Sequence, residues 1–275
     1  MAAGYLLALR EGLEAALIVG LLLGALRRTR HPEMQAAAWL GVGLAIALSL
    51  LLGVGLVLYG AELEGSAEAV FEGLMLTLAV TVLSWVVLWM QGQRAAAHVE
   101  DGILRAATAG QRWAVFLTAF LAVGREGLET GLFVAAAAFA SETRLALLGA
   151  ALGLLTAAIL GAGLYFATLR LDIRRFFAVT SILLILFAAG LVSQAVHEFI
   201  ELGWIRPGIA PVWDLSRSVG ADSALGQVGA ILLGYDPTPS LSQVIAYGGY
   251  LAGMAILVAA RMRRPFIPAR PSPIV

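Results

Sequence analysis

Seven apolar stretches, roughly residues 4-26, 36-59, 67-91, 113-140, 143-168, 175-203 and 241-262, make up most of the chain. Each is long enough to cross a bilayer as a helix, which takes about 20 residues. In lipid every backbone N–H and C=O must be satisfied from within, so stretches of this length can span only as helices. Charged residues make up 13% of the 275 positions and mean hydropathy is +0.90, whereas a soluble domain carries about 25% charged residues. The sequence therefore predicts an all-α polytopic membrane protein with seven transmembrane helices, placed in the cell (plasma or inner) membrane. The N-terminus has no basic leader or small-residue cleavage site and carries Arg10, Glu11 and Glu14 where a signal peptide would be apolar. It reads as a retained first helix.

The basic residues set the orientation. All 18 are arginine, and 13 of them follow the first, third, fifth and seventh stretches, against Arg144, Arg206 and Arg217 on the alternate connections. By the positive-inside rule the N-terminus lies outside and the C-terminus inside. The acids lean outward, with Glu62, Glu64, Glu68, Glu72, Glu142, Glu198, Glu201, Asp214, Asp222 and Asp236 on or near the outer face. A negative mouth of this kind concentrates cations, although acids also gather there merely because arginines mark the inner face.

The expected organisation is a single transmembrane domain. Residues 1-91 and 113-203 form two three-helix repeats, joined by a cytoplasmic connection at 92-112 that contains "RAAAHVEDGILRAA". An extracytoplasmic loop at 204-240, a seventh helix at 241-262 and a cytoplasmic tail at 263-275 follow. The repeat is read from "REGLE", which occurs at Arg10 to Glu14 and again at Arg125 to Glu129, 115 residues on and in a helix running the opposite way. Beyond that motif the halves are only weakly alike. An inverted 3+3 arrangement with its site at mid-depth is a common transporter plan.

The motif carries the chemistry. Arg10, Glu11 and Glu14 fall within about 100° of arc on a helix, as do Arg125, Glu126 and Glu129. Six charges at bilayer depth cost roughly 15 to 20 kcal/mol before pairing, at roughly 2.5 to 3.5 kcal/mol each. A buried ion-pair cluster that only fixes packing would answer a single copy; two copies at matching places argue for a site. Facing each other, four glutamates and two arginines carry a net −2, which a cation would relieve. Glu11, Glu14, Glu126 and Glu129 offer oxygen ligands for a hard cation, and Arg10 and Arg125 support them. Gly12 and Gly127 are expected to let the two motif helices approach closely. The chain has no cysteine, and its methionines are scattered, so thiolate sites, disulfides and a Cu(I) path are excluded.

A second constellation, "VHEFIELGW", places His197 and Glu201 four apart beside Glu198, with Glu72 at the matching end of the third helix. These four residues are a candidate outer loading site, or polar groups meeting lipid headgroups. "HEFIE" is not a HExxH zinc motif, because its last residue is Glu201. His31 and His98 read as solvated, "GLLLG" and "GAALG" as helix packing, and Trp85 with Trp89 as an interfacial aromatic pair.

These residues resemble the oxidase-dependent iron transporter family, the fungal high-affinity iron permeases and their bacterial relatives, which carry an Arg-Glu-x-x-Glu motif in the first and fourth helices. The resemblance continues through "HEFIELGWIRPG", "VWDLS" and "GYDPTPSLSQVIAYGGY". It implies iron as the transported substrate rather than a cofactor, moving into the cytoplasm along the motif glutamates, and a permease rather than an enzyme. It also implies a separate extracytoplasmic oxidase, peroxidase or iron-binding partner on another polypeptide; besides iron and the bilayer no nucleic acid is expected. The residues alone leave open a permease for Mn, Zn or Pb, a membrane di-iron oxidoreductase, and a structural or receptor role.

Overall fold

The structure, a computed structural model, describes residues 1–28, 32–90, 111–140, 142–165, 173–220 and 234–262, with Ser223, Gly226 and Gly229 between the last two segments. The connection carrying His98, the position of His31, and the tail at 263-275 lie outside the described residues.

Seven helices run through the described residues, with no β-strand among them: α1 (Ala2–Arg28), α2 (Pro32–Ala61), α3 (Ser66–Met90), α4 (Arg112–Phe139), α5 (Thr143–Tyr165), α6 (Ile173–Glu201) and α7 (Leu241–Met262). Each covers one of the expected spans. The largest difference is at α2, which starts at Pro32, a residue suited to a first helical turn because it lacks an N–H and its φ is already helical. Five helices are long and apolar enough to cross a membrane: Met34–Ala61, Ser66–Leu88, Thr143–Gly163, Ala178–Glu201 and Leu241–Arg261. The charges of the two motifs keep α1 and α4 out of that set, although at 27 and 28 residues each extends about 40 Å. Hydroxyls within the apolar helices bond back to the carbonyl four residues earlier, as Thr77 does to Gly73, Thr118 to Ala114 and Thr130 to Glu126. None of these then faces lipid unpaired.

α1 packs mainly on α5, α2 on α4 and α3 on α6, while α1 also meets α4 and α7 lies against α6. Small residues make the first two seams. A Cβ at Gly149 would lie 2.0 Å from the Met1 carbonyl, and one at Gly41 would lie 2.5 Å from that of Phe116. Further along, Gly161 meets Ala16 and Gly53 meets Gly131. "GAALG" is thus helix packing, whereas Gly24 of "GLLLG" faces open space.

Two apolar clusters lie on either side of the motifs. One gathers Ala3, Leu7, Leu76, Phe133, Ala137, Phe187 and Leu191 toward the end where α1 begins. The other gathers Leu22, Leu26, Met34, Val42, Val115 and Val123 toward the opposite end. The end at which α1 begins also carries the described part of the long loop. There Val212 N–H donates to the Pro239 carbonyl at 2.9 Å, Leu215 N–H to that of Pro237 at 2.9 Å, and Leu241 N–H to that of Ile209 at 2.9 Å. Asp214 of "VWDLS" accepts from both the backbone and the hydroxyl of Ser216. Those donors hold its exposed carboxyl below the usual range, which marks it as a turn residue.

Candidate metal centre

Between the two apolar clusters, α1 and α4 bring their charges together. Arg10 and Glu11 are fully buried, and Glu126 and Glu129 are almost so. Arg10 Nη1 donates to Glu11 Oε1, and its Nη2 lies 3.0 Å from Glu14 Oε1. Arg125 Nε donates to Glu129 Oε1 at 2.8 Å and stands 4.0 Å from Glu126 Oε1. The guanidinium of Arg125 also lies over the Trp85 ring, 5.1 Å from its centroid, a cation–π arrangement.

Glu11, Glu126 and Glu129 each bring a carboxylate oxygen within 4.8 Å of the others, and no other group of three acidic or histidine residues does so among the described residues. Each of the three also has a buried Oε2 with no hydrogen-bond donor. Orphaned buried acceptors are costly, and a cation shared by the three relieves all of them at once. Oxygens that share an ion at about 2.1 Å stand about 3.0 Å apart when adjacent and about 4.2 Å when opposite, so the trio closes on an ion by drawing its carboxylates together. All the donors are hard oxygens. The fourth expected ligand, Glu14, stays outside the trio; its Oε1 lies 3.0 Å from Arg10 Nη2 and, like the Oε2 atoms of the trio, has no hydrogen-bond donor.

The glycines do not work as expected. Gly12 does not face α4: a Cβ there would meet Ala157 of α5 at 2.7 Å. Gly127 faces α2, where a Cβ would come 2.2 Å from Ser49 Oγ. Each motif glycine therefore admits a flanking helix. The motif's spacing shows that the glycine leaves its helix bare there, but not which neighbour fills the place. The second constellation is looser. His197 Nε2 stands 3.4 Å from Glu201 Oε1 with both side chains half-exposed, Gln194 Nε2 donates to Glu198 Oε1 at 2.9 Å, and Glu72 lies within electrostatic reach of Glu198 and Glu201. Trp85 was missed as a partner of Arg125, because its interfacial position explained it already.

Long apolar helices packed around a buried cluster of glutamates and arginines on two of them define a membrane protein. The chain belongs to the Iron permease FTR1 family, which it matches over residues 1–264. Among curated proteins it is 36% identical over 251 residues to the Ferrous iron permease EfeU of Escherichia coli O157:H7, covering 90% of this chain and 91% of that protein. The Ferrous iron permease EfeU of Yersinia pestis is 35% identical over 258 residues, 92% of this chain and 91% of the relative. No solved structure matches the chain.

Proposed function

We propose that this protein carries ferrous iron across the cell membrane into the cytoplasm, acting as a permease and not an enzyme, through a centre formed by Glu11, Glu126 and Glu129. Glu14 joins them when Arg10 releases it. The observation that carries the reading is the trio itself: three buried carboxylates from two helices, each with an oxygen lacking a donor. Family membership and the names of the relatives support iron as the cargo.

The contacts support two inverted three-helix halves. Gly12 against Ala157 is matched by Gly127 against Ser49, Ala16 against Gly161 by Gly131 against Gly53, and Met1 at Gly149 by Phe116 at Gly41. An axis in the membrane plane that exchanges α1 with α4, α2 with α5 and α3 with α6 generates this set. The arginine distribution orients the start of α1 outward. An ion drawn to the acidic outer face then passes the region of Glu72, His197, Glu198 and Glu201 before losing its water at the trio.

The test is iron uptake in a permease-deficient cell, with surface labelling to confirm that each variant reaches the membrane. Glu14→Ala and Glu129→Ala each abolish uptake; wild-type uptake in both sinks the centre. Competition between radioactive iron and Mn²⁺ or Zn²⁺ decides the substrate, and uptake suppressed equally by Mn²⁺ would favour a general divalent permease.

A further inference from the structure

On the side of the centre toward the start of α1, the turn at residues 234–237 folds onto α6 and borders a partly open cavity of about 130 Å³ among α1, α4, α6 and the loop. The turn can sit there because glycine meets glycine. Gly234 has φ +63°, and a Cβ on it would lie 2.0 Å from the Cα of Gly190. The loop then locks the turn, with Trp213 Nε1 donating to the Asp236 carbonyl at 3.4 Å.

Several polar side chains line this cavity, Asp236, Ser193, Gln194 and Gln243 among them. Asp236 Oδ1 accepts from Thr238 N–H at 2.8 Å, and its Oδ2 accepts from Gln243 Nε2 at 3.3 Å. Gln243 is itself fixed by a capping box at the start of α7, its Oε1 accepting from Ser240 N–H at 2.9 Å and from the Ser240 hydroxyl at 2.8 Å. Both donors to Asp236 are neutral, and no basic side chain pairs with it among the described residues, so its charge is oriented but not cancelled. Ser193 is 7% exposed, lines the cavity, and has no hydrogen-bond partner for its hydroxyl among the described residues. Gln194 gives its Nε2 to Glu198, which leaves its Oε1 as a further acceptor.

The cavity stands directly over the centre and apart from it. On α1, Ala3 lines the cavity, Leu7 follows one turn below and Glu11 one turn below that; on α4 the same steps run from Ala137 through Phe133 to Glu129. The eight residues from Ala3 to Glu11 rise about 12 Å, and the layer between is closed, with Leu7 1% and Phe133 0% exposed.

We infer that this cavity is a second cation site. It is an outer holding position in which Asp236, the Ser193 hydroxyl and the Gln194 amide oxygen take a divalent cation that keeps part of its water, before Leu7 and Phe133 part to admit it to the glutamates. The inference rests on the permease reading above. The cavity has room for an ion with several waters, and the mixed donor set of one carboxylate and neutral oxygens suits a weak, exchangeable site.

The test is anaerobic equilibrium dialysis of the purified full-length protein with ferrous iron alone. Wild type binds two ions, Glu129→Gln binds one, Asp236→Asn binds one, and the double variant binds none. In uptake assays Asp236→Asn raises the half-saturating iron concentration about tenfold with the maximal rate within twofold of wild type, while Ser193→Ala, which breaks no bond in the loop, raises it about threefold. A double variant that keeps the ion left in Glu129→Gln overturns the holding site, as does wild-type half-saturation in both Asp236→Asn and Ser193→Ala. Should Glu129→Gln keep two ions while Asp236→Asn loses one, the glutamate centre fails and the holding site stands.

Discussion

The same five residues, Arg-Glu-Gly-Leu-Glu, sit in two different settings. In α1 the motif is sealed: Arg10 is fully buried between Glu11 and Glu14, and Leu13 is 4% exposed. In α4 the motif lies at an edge: the Arg125 side chain is 32% exposed, holds Glu129, and rests on Trp85, while Leu128 is 51% exposed. Both copies nevertheless deliver glutamates to one trio. The carboxylates converge while the arginines do not, which separates two roles that the motif alone merges. The glutamates are positioned for a shared partner, and each arginine is positioned by its own surroundings.

The sharpest way to break the comparison is at the carboxylates. Glu126→Ala, which removes one of the trio from the exposed copy, is expected to abolish iron uptake as fully as Glu11→Ala does in the sealed copy. Membrane-normalised transport checks it, and a surviving Glu126→Ala would make the two copies unequal in function as well as in burial. Next come the arginines. Arg10→Ala leaves Glu11 buried without its cationic partner, and breaking such a pair costs about 3 to 5 kcal/mol. Arg125→Ala is milder because the Arg125 side chain is itself 32% exposed, so its removal opens a way for water to the glutamates it leaves. Thermal unfolding of the purified variants should show the larger drop for Arg10→Ala.

The glycines come third. Gly12→Ala and Gly127→Ala each overpack a helix seam, at about 1 to 3 kcal/mol. Ala157→Gly should rescue the first and Ser49→Gly the second, while the crossed combinations rescue neither; unfolding midpoints of the double variants check this. Trp85→Leu gives the smallest effect, a loss of about 0.5 to 1 kcal/mol from the cation–π contact. It appears as a few-fold fall in uptake through Arg125, and Trp85→Phe restores most of it.

Most of the helical frame was legible in the sequence because one quantity, apolar length, determines what can sit in lipid. The spans and the helices differ by a few residues at most, as at Pro32 and Tyr165. Glu11, Glu126 and Glu129 were legible for a related reason: a charge amid apolar residues has to be explained. Glu14 was less so, since its spacing and its arginine contact match those of Glu129, yet only Glu129 joins the trio. The direction of Gly12 and Gly127 was hidden because periodicity tells which residues share a face and says nothing of which helix covers it. Asp236 was hidden more deeply. Its role depends on Gly190, Gln194 and Gln243, which reach it only after the loop has folded back across α6.

The two apolar clusters on either side of the glutamates bear on more than the ion's route. An unbroken file of water from one face to the other would pass protons along its hydrogen bonds and drain the gradient that a cell membrane maintains. Leu7 and Phe133 on one side, and Leu22, Leu26 and Val115 on the other, are fully or almost fully buried and offer such a file nothing to hold on to. Layers of this kind let a cluster of charges sit deep in a protein without a continuous path for protons through the residues that flank it.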